Sequence, residues 1–262
     1  MRIDLTGKTA VVTGSTGGIG LATGRALAAA GATVVINGRS AEKVARAVAE
    51  IEAEGGRARG VVADMGAAEG PGALAGDAAA ADILVGNAAF IGMSPFAEAP
   101  DALWAQAWQT NVMANVALAR AALPGMLARN WGRLVFVSSE SARNLQPALI
   151  PYGATKLALH ALSRGLAKTA AGSGVTANVV VPGPTLSDLL APRVRAAAEQ
   201  SGETVEAVAA RFVAENRPSS ILRRMASVEE VAAMIVYLCS PQASATTGAA
   251  LRVDGGVVDD VN

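Results

Sequence analysis

The sequence predicts an α/β fold in which a doubly wound, seven-stranded parallel sheet is flanked by helices. Short, valine-rich apolar runs alternate with longer, alanine-rich segments of helical character, the pattern of repeated βα units. The apolar runs are nearly continuous, as in strands that are buried on both faces. Because no proline- or serine-rich linker, charge block or internal repeat divides the 262 residues, we expect a single domain over 1–262.

Each element follows from a local pattern. The predicted strands are KTAVVTG from residue 8, TVVING from 33, ARGVVAD from 58, DILVGNA from 82, RLVFVSS from 133, VTANVVVPG from 175 and ALRVDGG from 250. The predicted helices lie near 18–30, 41–54, 101–129, 152–171 and 227–239. Glycines and a proline make 66–81 a poor helix, which we expect to be short and mobile. The long stretch at about 185–225 is predicted to be a substrate lid, because it follows the sixth strand at the end of the sheet where ligands bind.

Composition excludes several classes of protein. Lys plus Arg and Asp plus Glu each total 22, so there is no excess of positive charge for binding nucleic acid. The chain contains no apolar run of about 18 residues for a membrane span, and no signal segment is recognised at its start. We therefore expect a soluble, cytoplasmic protein. The single cysteine, Cys239, lies in an apolar helical run and is expected to pack in the core.

A glycine-rich turn follows the first predicted strand. In TGSTGGIG, the residues Gly14, Gly18 and Gly20 precede a helix directly. A turn without Cβ atoms lets backbone amides approach a pyrophosphate at the helix N-terminus, so the turn indicates dinucleotide binding; the alternative is a tight turn without a ligand. Asp64 ends the third strand and can accept the adenine amino group or cap the next segment.

The stretch PYGATK places Tyr152 four residues before Lys156. On a helix this spacing puts both side chains on one face, about 6 Å apart along the axis. A lysine cation beside a phenol lowers the phenol's pKa from its ordinary value of about 10, so this tyrosine can exchange protons with a substrate. The alternative is a solvated helix face.

These segments together resemble the short-chain dehydrogenase/reductase family, in its compact single-domain branch. The matching elements are TGSTGGIG, Asp64, NAA at 87, Asn111 in QTNVMAN, Ser139 in VFVSSES, YGATK at 152, PGPTLS at 182 and VDGG at 253. Ser139 precedes Tyr152 by thirteen residues, which is the family's spacing. The resemblance covers essentially the whole chain and implies a Rossmann-type sheet.

The resemblance implies an NAD(P)-dependent oxidoreductase that interconverts a ketone or aldehyde and an alcohol. Tyr152 would be the general acid/base, and Lys156 would hold the nicotinamide ribose and keep the tyrosine acidic. Ser139 would bind the substrate oxygen. Asn111, with Asn115 as second choice, would hold a water on Lys156 for proton relay.

The resemblance also implies a cofactor site without a metal. Its residues are Gly14, Ser15, Thr16, Gly18, Ile19, Gly20, Gly38, Arg39, Asp64, Met65, Asn87, Ala88, Ala89, Tyr152, Lys156, Pro182, Gly183, Thr185 and Ser187. NADP(H) is favoured and NAD(H) remains possible, because Gly38 stands where NAD enzymes of the family carry an acidic residue. Arg39 would clamp the 2′-phosphate and Ser15 would add a hydroxyl; the alternative for Arg39 is a solvated side chain ahead of a helix capped by Ser40.

Two positions depart from the family's pattern. The usual N-N-A-G after the fourth strand is GNAA here, with Gly86 and Ala89 replacing Asn and Gly. Backbone contacts at Asn87 and Ala88 can survive that change. The resemblance further implies a homotetramer. His160, one turn beyond Lys156, is expected to pack or to contact another subunit.

The substrate is a small molecule whose identity the sequence leaves open. Expected pocket walls are Met93 and its neighbours, the loop 140–150, and the lid at 186–190 with Phe212. Most are apolar, which favours a hydrophobic ketone or secondary alcohol, with 3-oxoacyl thioesters and sugar derivatives open. Two other classes of protein are alternatives: a non-catalytic NADP-binding regulator or scaffold, and a methyltransferase. Neither explains Ser139, Tyr152 and Lys156 together.

Overall fold

A computed structural model describes residues 2–188 and 190–261. Its centre is a parallel sheet with the strand order β3-β2-β1-β4-β5-β6-β7. The strands are β1 Thr9–Val12, β2 Thr33–Gly38, β3 Arg57–Val62, β4 Ile83–Gly86, β5 Gly132–Val137, β6 Val175–Pro182 and β7 Ala250–Val253. The order reverses between β1 and β4, so a crevice for ligands is expected at the carboxyl ends of these two strands. This confirms the predicted fold class and all seven strands.

Helices cover both faces of the sheet. They are α1 Gly18–Ala29, α2 Ala41–Ala53, α3 Ala75–Ala80, α4 Asp101–Trp108, α5 Ala114–Ala128, α6 Ile150–Thr169, α7 Ala191–Ser201, α8 Val205–Asn216 and α9 Val228–Cys239. One buried cluster joins the sheet to α1, α2 and α9, and a second joins it to α3, α5 and α6. Cys239 is fully buried in the first cluster, as expected, and burial raises the pKa of its thiol to about 12. Within the described part of the chain, every helix is too short or too polar to cross a membrane.

The two outermost strands differ from the expectation of burial on both faces. In β3 every residue is at least partly exposed, and Val62 is 51% exposed. In β7 exposed and half-buried residues alternate. Each of these strands has a neighbour on one side only, so helices cover it incompletely.

The predicted helix 101–129 is divided into two helices. A π-helical turn, Gln109–Met113, separates α4 from α5. Such turns are rare in proteins as a whole, but those that occur are often at functional sites. This one contains Asn111. The segment 66–81 forms a short 3₁₀ turn at Gly70–Leu74 followed by the six-residue α3, so its predicted shortness is confirmed.

The predicted lid contains two helices with a hydrophobic cluster of their own. The cluster consists of Val194, Ala198, Val208, Ala209, Val213 and Met225, from α7, α8 and the segment after them. It is separate from the two clusters of the sheet, which is the packing expected of a segment that moves as a unit. Leu189, within the predicted lid, lies outside the described residues.

Candidate active site

The glycine-rich turn between β1 and α1 requires glycine at three positions. Gly14 and Gly18 have φ angles of 59° and 52°, in the left-handed region that favours glycine. A Cβ on Gly20 would overlap the carbonyl oxygen of Gly14. The chain therefore enters α1 through a turn whose backbone a ligand can approach closely, and the residues fit a dinucleotide pyrophosphate.

Asn87 fastens this turn to the end of β4. Its Nδ2 donates to the carbonyl oxygens of Thr13, at 3.0 Å, and Gly14, at 2.9 Å. The Thr13 hydroxyl in turn accepts from the amides of Asn87 and Ala88, at 2.9 and 3.0 Å. Ala89 follows as an exposed residue. The GNAA sequence thus retains these bonds to the glycine-rich turn, while the backbone contacts of Asn87 and Ala88 with the cofactor stay a prediction.

Gly86 makes room for Asn115. A Cβ at position 86 would overlap the Asn115 side-chain oxygen. Asn115 is 4% exposed, and its Nδ2 donates to the carbonyl oxygen of Asn111 at 2.8 Å. The asparagine missing from the end of β4 is therefore replaced in space by an amide from the neighbouring helix. The sequence indicated Gly86 as a departure from the family's pattern and Asn115 as a second choice for the role of Asn111, but not that the two positions meet.

The end of β2 combines a glycine with an exposed arginine. A Cβ on Gly38 would lie 2.5 Å from Cγ2 of Thr16 in the glycine-rich turn. Arg39 is exposed, and within residues 2–188 and 190–261 no hydrogen bond or ion pair engages it. The Ser40 hydroxyl accepts from the Lys43 amide at 3.3 Å and caps α2. Ser40 therefore caps α2 while the neighbouring Arg39 guanidinium stays exposed and able to bind a ligand.

Ser15 does not occupy the place predicted for it. Its side chain is fully buried, where the hydroxyl donates to the carbonyl of Val12 at 2.7 Å and accepts from the amide of Asn37 at 2.9 Å. A contact with a 2′-phosphate would break both bonds. The prediction of a phosphate contact through this hydroxyl is not supported, because the hydroxyl instead holds β2 against the turn.

The residues after β3 adopt a tight turn. The exposed Asp64 carboxylate accepts from the amide of Gly66 at 2.9 Å and closes this turn. It caps no helix, because the next helical segment, Gly70–Leu74, begins after Glu69 without a side-chain cap. Its contact with adenine stays a prediction. Met65 is 3% exposed and belongs to the core beneath the sheet. Only the backbone of Met65 remains for the cofactor contact that the resemblance implies.

Ser139, Tyr152 and Lys156 meet at the carboxyl end of β5. Tyr152 lies in the first turn of α6, with its hydroxyl near that of Ser139, whose hydrogen bonding lowers the pKa of the phenol. Lys156 is one turn further along, with Nζ 5.5 Å from the centre of the Tyr152 ring. Its ammonium group donates to the carbonyl of Val137 at 2.7 Å. The structure thus brings the three predicted catalytic side chains together.

Burial is the main influence on the pKa values of Tyr152 and Lys156. It raises the pKa of Tyr152 to about 12, against the Ser139 hydrogen bond, while the Glu140 carboxylate adds to the increase. Burial also lowers the pKa of Lys156 to about 7. The expectation that the lysine lowers the tyrosine's pKa is therefore not met in this arrangement, because both side chains are almost wholly buried. A phenol that keeps its proton at neutral pH suits a proton donor.

Asn111 joins the loop after β4 to α6. Its Oδ1 accepts from the Phe90 amide at 2.7 Å, and its Nδ2 donates to Phe90 O at 3.0 Å and to the Thr155 hydroxyl at 2.9 Å. The Thr155 hydroxyl donates to the carbonyl of Tyr152 at 2.6 Å. Asn111 thus positions the catalytic helix. Its predicted hold on a relay water stays a prediction.

Comparison with known proteins decides the family. The profile of the short chain dehydrogenases matches residues 8–198. The chain belongs to the short-chain dehydrogenase family. It is 40% identical to the uncharacterized oxidoreductase YvaG of Bacillus subtilis over 100% of both chains, and 35% identical to D-beta-hydroxybutyrate dehydrogenase of Cupriavidus necator over 97% of this chain and 99% of the relative. The L-sorbose reductase of Gluconobacter frateurii, solved with NADPH and L-sorbose, superposes with a TM-score of 0.91 at 32% identity over 100% of both chains.

The short-chain dehydrogenase assignment makes this protein an NAD(P)-dependent oxidoreductase and confirms the resemblance drawn from the motifs. The alternative of a binding protein without turnover gains no support from these relatives. The fold, the family and the class of reaction were therefore all available from the sequence.

The segment after β6 packs between the end of the chain and the glycine-rich turn in this short-chain dehydrogenase. Pro182 is buried, and a Cβ on Gly183 would lie 2.6 Å from the carbonyl oxygen of Asp254. Thr185 is 6% exposed, with its hydroxyl bonded to Gly183 O at 3.0 Å. Ser187 lies beside the start of α1, next to Gly18, whereas Ile19 packs against the sheet.

A buried ion pair beside Ser139 was missed by the sequence reasoning. Arg217, just after α8, donates through Nε to Oε1 of Glu140 at 2.7 Å. The two residues are 9% and 3% exposed. Burial raises the pKa of Glu140 while Arg217 opposes that change, and Oε2 of Glu140 has no partner within the described residues. The pair joins the loop that contains Ser139 to the segment after α8, and its members, 77 positions apart, share no local pattern.

Replacing Lys156 with Met should raise the free energy of unfolding measured without added cofactor. The lowered pKa means that the folded state binds fewer protons than the unfolded state between about pH 7 and pH 10. The destabilisation by Lys156 is therefore full below about pH 7 and fades as the pH rises. Urea denaturation at several pH values should show that the difference in the free energy of unfolding between Lys156→Met and wild type becomes smaller toward pH 10. The exposed Lys168→Met, in the same helix, is the control, and equal curves for all three proteins would contradict the burial argument.

Replacing Arg217 with Met should destabilise the protein by about 3–5 kcal/mol, because it leaves the Glu140 carboxylate buried and unpaired. Removing both charges, in Glu140→Leu/Arg217→Met, should recover most of that loss. The exposed pair Arg224–Glu230 provides the control, and Arg224→Met should cost no more than about 1 kcal/mol. A double variant as unstable as Arg217→Met would show that the pair's charges are not what matters.

Proposed function

We propose that this enzyme is an NADP(H)-preferring carbonyl reductase or alcohol dehydrogenase that interconverts an uncharged ketone or aldehyde and the corresponding alcohol. The observation that carries the proposal is the placement of Tyr152 beside Ser139, with the Lys156 ammonium group 5.5 Å from the centre of the tyrosine ring, at the carboxyl edge of the sheet. The glycine-rich turn stands at the same edge, two strands away.

Each side chain has a separate task in this proposal. The nicotinamide cofactor supplies or accepts the hydride. In the reductive direction Tyr152 donates its proton to the substrate oxygen, which its raised pKa allows at neutral pH. Ser139 donates a hydrogen bond to that oxygen and stabilises the negative charge that develops there. Lys156 would hold the ribose hydroxyls, and Asn111 keeps α6 in place through Thr155.

The end of β2 supports the preference for NADP(H). The acidic side chain that would bind both ribose hydroxyls of NAD is missing at Gly38, and Thr16 fills the space where it would begin. Arg39 is exposed and can bind a 2′-phosphate by charge-assisted hydrogen bonds. The similar L-sorbose reductase, whose structure contains NADPH, agrees with this choice.

The charges near the site favour an uncharged substrate. Arg217 is paired with Glu140, and Arg143 is paired with Asp260 at 2.7 Å, so both guanidiniums are already neutralised. Apolar side chains are exposed on the loops that are expected to face the substrate, with Met93 64% exposed. A hydrophobic ketone or secondary alcohol fits these surroundings better than a hydroxy acid does.

We also propose that the enzyme works as a cytoplasmic homotetramer. Exposed apolar side chains on the face formed by α4, the π-helical turn and α6 support self-assembly. They are Trp108, Met113 and Leu157. Patches of this kind mark protein–protein contact surfaces.

Tyr152→Phe should lower turnover about 10²- to 10⁴-fold while cofactor binding persists, because only the hydroxyl that moves the proton is removed. Steady-state rates with a panel of ketones and NADPH, together with fluorescence titration of NADPH, measure both properties. The matched control is Tyr237→Phe in α9, the only other tyrosine, which should leave the rate unchanged. More than about a tenth of the wild-type rate in Tyr152→Phe would refute the general-acid role.

Arg39→Ala should weaken NADP(H) binding about ten- to a hundredfold and leave NAD(H) binding nearly unchanged, because only NADP(H) carries the 2′-phosphate. Dissociation constants for both cofactors test this, with the exposed Arg46→Ala in α2 as the control. An equal loss of affinity for both cofactors would show that Arg39 does not act through the 2′-phosphate.

A change of preference toward NAD(H) should need two substitutions. Gly38→Asp alone would force a Cβ against Thr16 and weaken both cofactors, whereas Gly38→Asp/Thr16→Gly leaves room for the carboxylate. Tighter NAD(H) binding by the double variant than by Gly38→Asp, measured by the same titration, is the expected result. If Gly38→Asp alone binds NAD(H) as tightly as the double variant, Thr16 does not restrict this position.

A further inference from the structure

A carboxylate from the lid lies on the glycine-rich turn. Oδ2 of Asp188 accepts a hydrogen bond from the backbone amide of Gly18 at 2.7 Å. Gly18 is the first residue of α1, and Asp188 lies between β6 and α7. The two residues are 170 positions apart, so the contact depends on the tertiary fold.

The carboxylate uses the space that the glycines leave. A Cβ on Gly17 would overlap Oδ2 of Asp188, and a Cβ on Gly18 would lie 3.6 Å from Cβ of Ser187. Absence of side chains at this turn is what allows a phosphate oxygen to approach the amides of a helix N-terminus. Asp188 therefore places an anionic oxygen on an amide that the proposed cofactor's pyrophosphate would use.

The charges at this helix end explain why the contact is favourable. Gly17 offers no side chain to cap α1, and the first turn of α1 contains no acidic residue. The partial positive charge of the N-terminus and its unpaired amides attract an anion. Asp188 supplies one from outside the helix.

We propose that Asp188 competes with the dinucleotide's pyrophosphate for the N-terminus of α1. The proposal rests on the function proposed above, which places a dinucleotide at this turn. Two anions do not share one amide, so cofactor binding displaces the carboxylate. Asp188 thereby lowers cofactor affinity, speeds cofactor release, and holds the lid down when no cofactor is bound.

The bonds around Asp188 connect this exchange to the lid. On the side of Asp188 toward β6, the amide of Leu186 donates to the carbonyl of Ala226 at 2.9 Å and holds that part of the segment in place. After Asp188, the amides of Leu190 and Ala191 donate to the carbonyl of Ser187, which joins the segment to the start of α7. Displacement of the carboxylate therefore acts on α7, whereas the residues before Leu186 stay in place.

Asp188→Asn tests the competition, since it keeps the size of the side chain and removes its charge. Fluorescence titration should show about two- to fivefold tighter binding of both NADPH and NADH, the range available to a charge at an exposed helix N-terminus. Glu199→Gln, which removes a charge from the exposed face of α7, should bind both cofactors like wild type. If wild type binds neither dinucleotide, the proposed function fails. If wild type binds and Asp188→Asn binds no more tightly, the competition alone is refuted.

Two further measurements separate competition from a general charge effect. Adenosine 2′-monophosphate lacks the pyrophosphate, so its affinity should be equal in wild type and Asp188→Asn; an equal gain for this probe and for NADPH would overturn the proposal. Without added cofactor, hydrogen exchange at the Gly18 amide and in α7 should be faster in Asp188→Asn than in wild type. Unchanged exchange at both places would also overturn it, because the carboxylate would then hold nothing in solution.

Discussion

The hydrogen bonds between Asn87 and the backbone of Thr13 and Gly14 are the constraint on which the site depends. They join the ends of β1 and β4, the two strands between which the order of the sheet reverses. With these ends fixed, the glycine-rich turn has one path into α1, and the loop after β4 has one path to Asn111. Asn111 then holds α6 through Thr155, and α6 carries the tyrosine and the lysine. A short series of amide and hydroxyl contacts thus runs from the glycine-rich turn to the backbone of Tyr152.

The burial of Tyr152 and Lys156 affects the ionisation of both side chains. Tyr152 and Lys156 are 8% and 2% exposed, and burial makes the ionised form of each unfavourable. The same burial keeps bulk water from the place where a proton must reach a substrate oxygen. Burial of these two ionisable groups therefore reduces local stability at the residues proposed to perform the reaction, a trade-off that is common in enzymes.

The strands and the meeting of Ser139, Tyr152 and Lys156 could be predicted because their signals are local, whereas the π-helical turn that divides the predicted helix 101–129 could not. Valine-rich runs mark β1 to β7, and the thirteen-residue spacing identifies Ser139 and Tyr152. The contacts that escaped prediction join distant positions: Gly86 with Asn115, Glu140 with Arg217, and Gly18 with Asp188. Neither periodicity nor spacing reports that two such residues meet. The direction of the pKa change at Tyr152 escaped for a related reason, since burial is a property of the packed molecule and not of the PYGATK sequence.

The exchange of positions between Gly86 and Asn115 limits the order in which this part of the protein can evolve. An asparagine introduced at position 86 would collide with the Asn115 side chain while that amide remains. A smaller residue at position 115 must therefore come first, and it removes the hydrogen bond to the Asn111 carbonyl before any replacement exists. The path from the present arrangement to an asparagine at position 86 therefore passes through a variant that has lost the hydrogen bond to the Asn111 carbonyl. The glycine at position 86 and the amide at position 115 thus restrict each other, and a single substitution does not exchange one arrangement for the other.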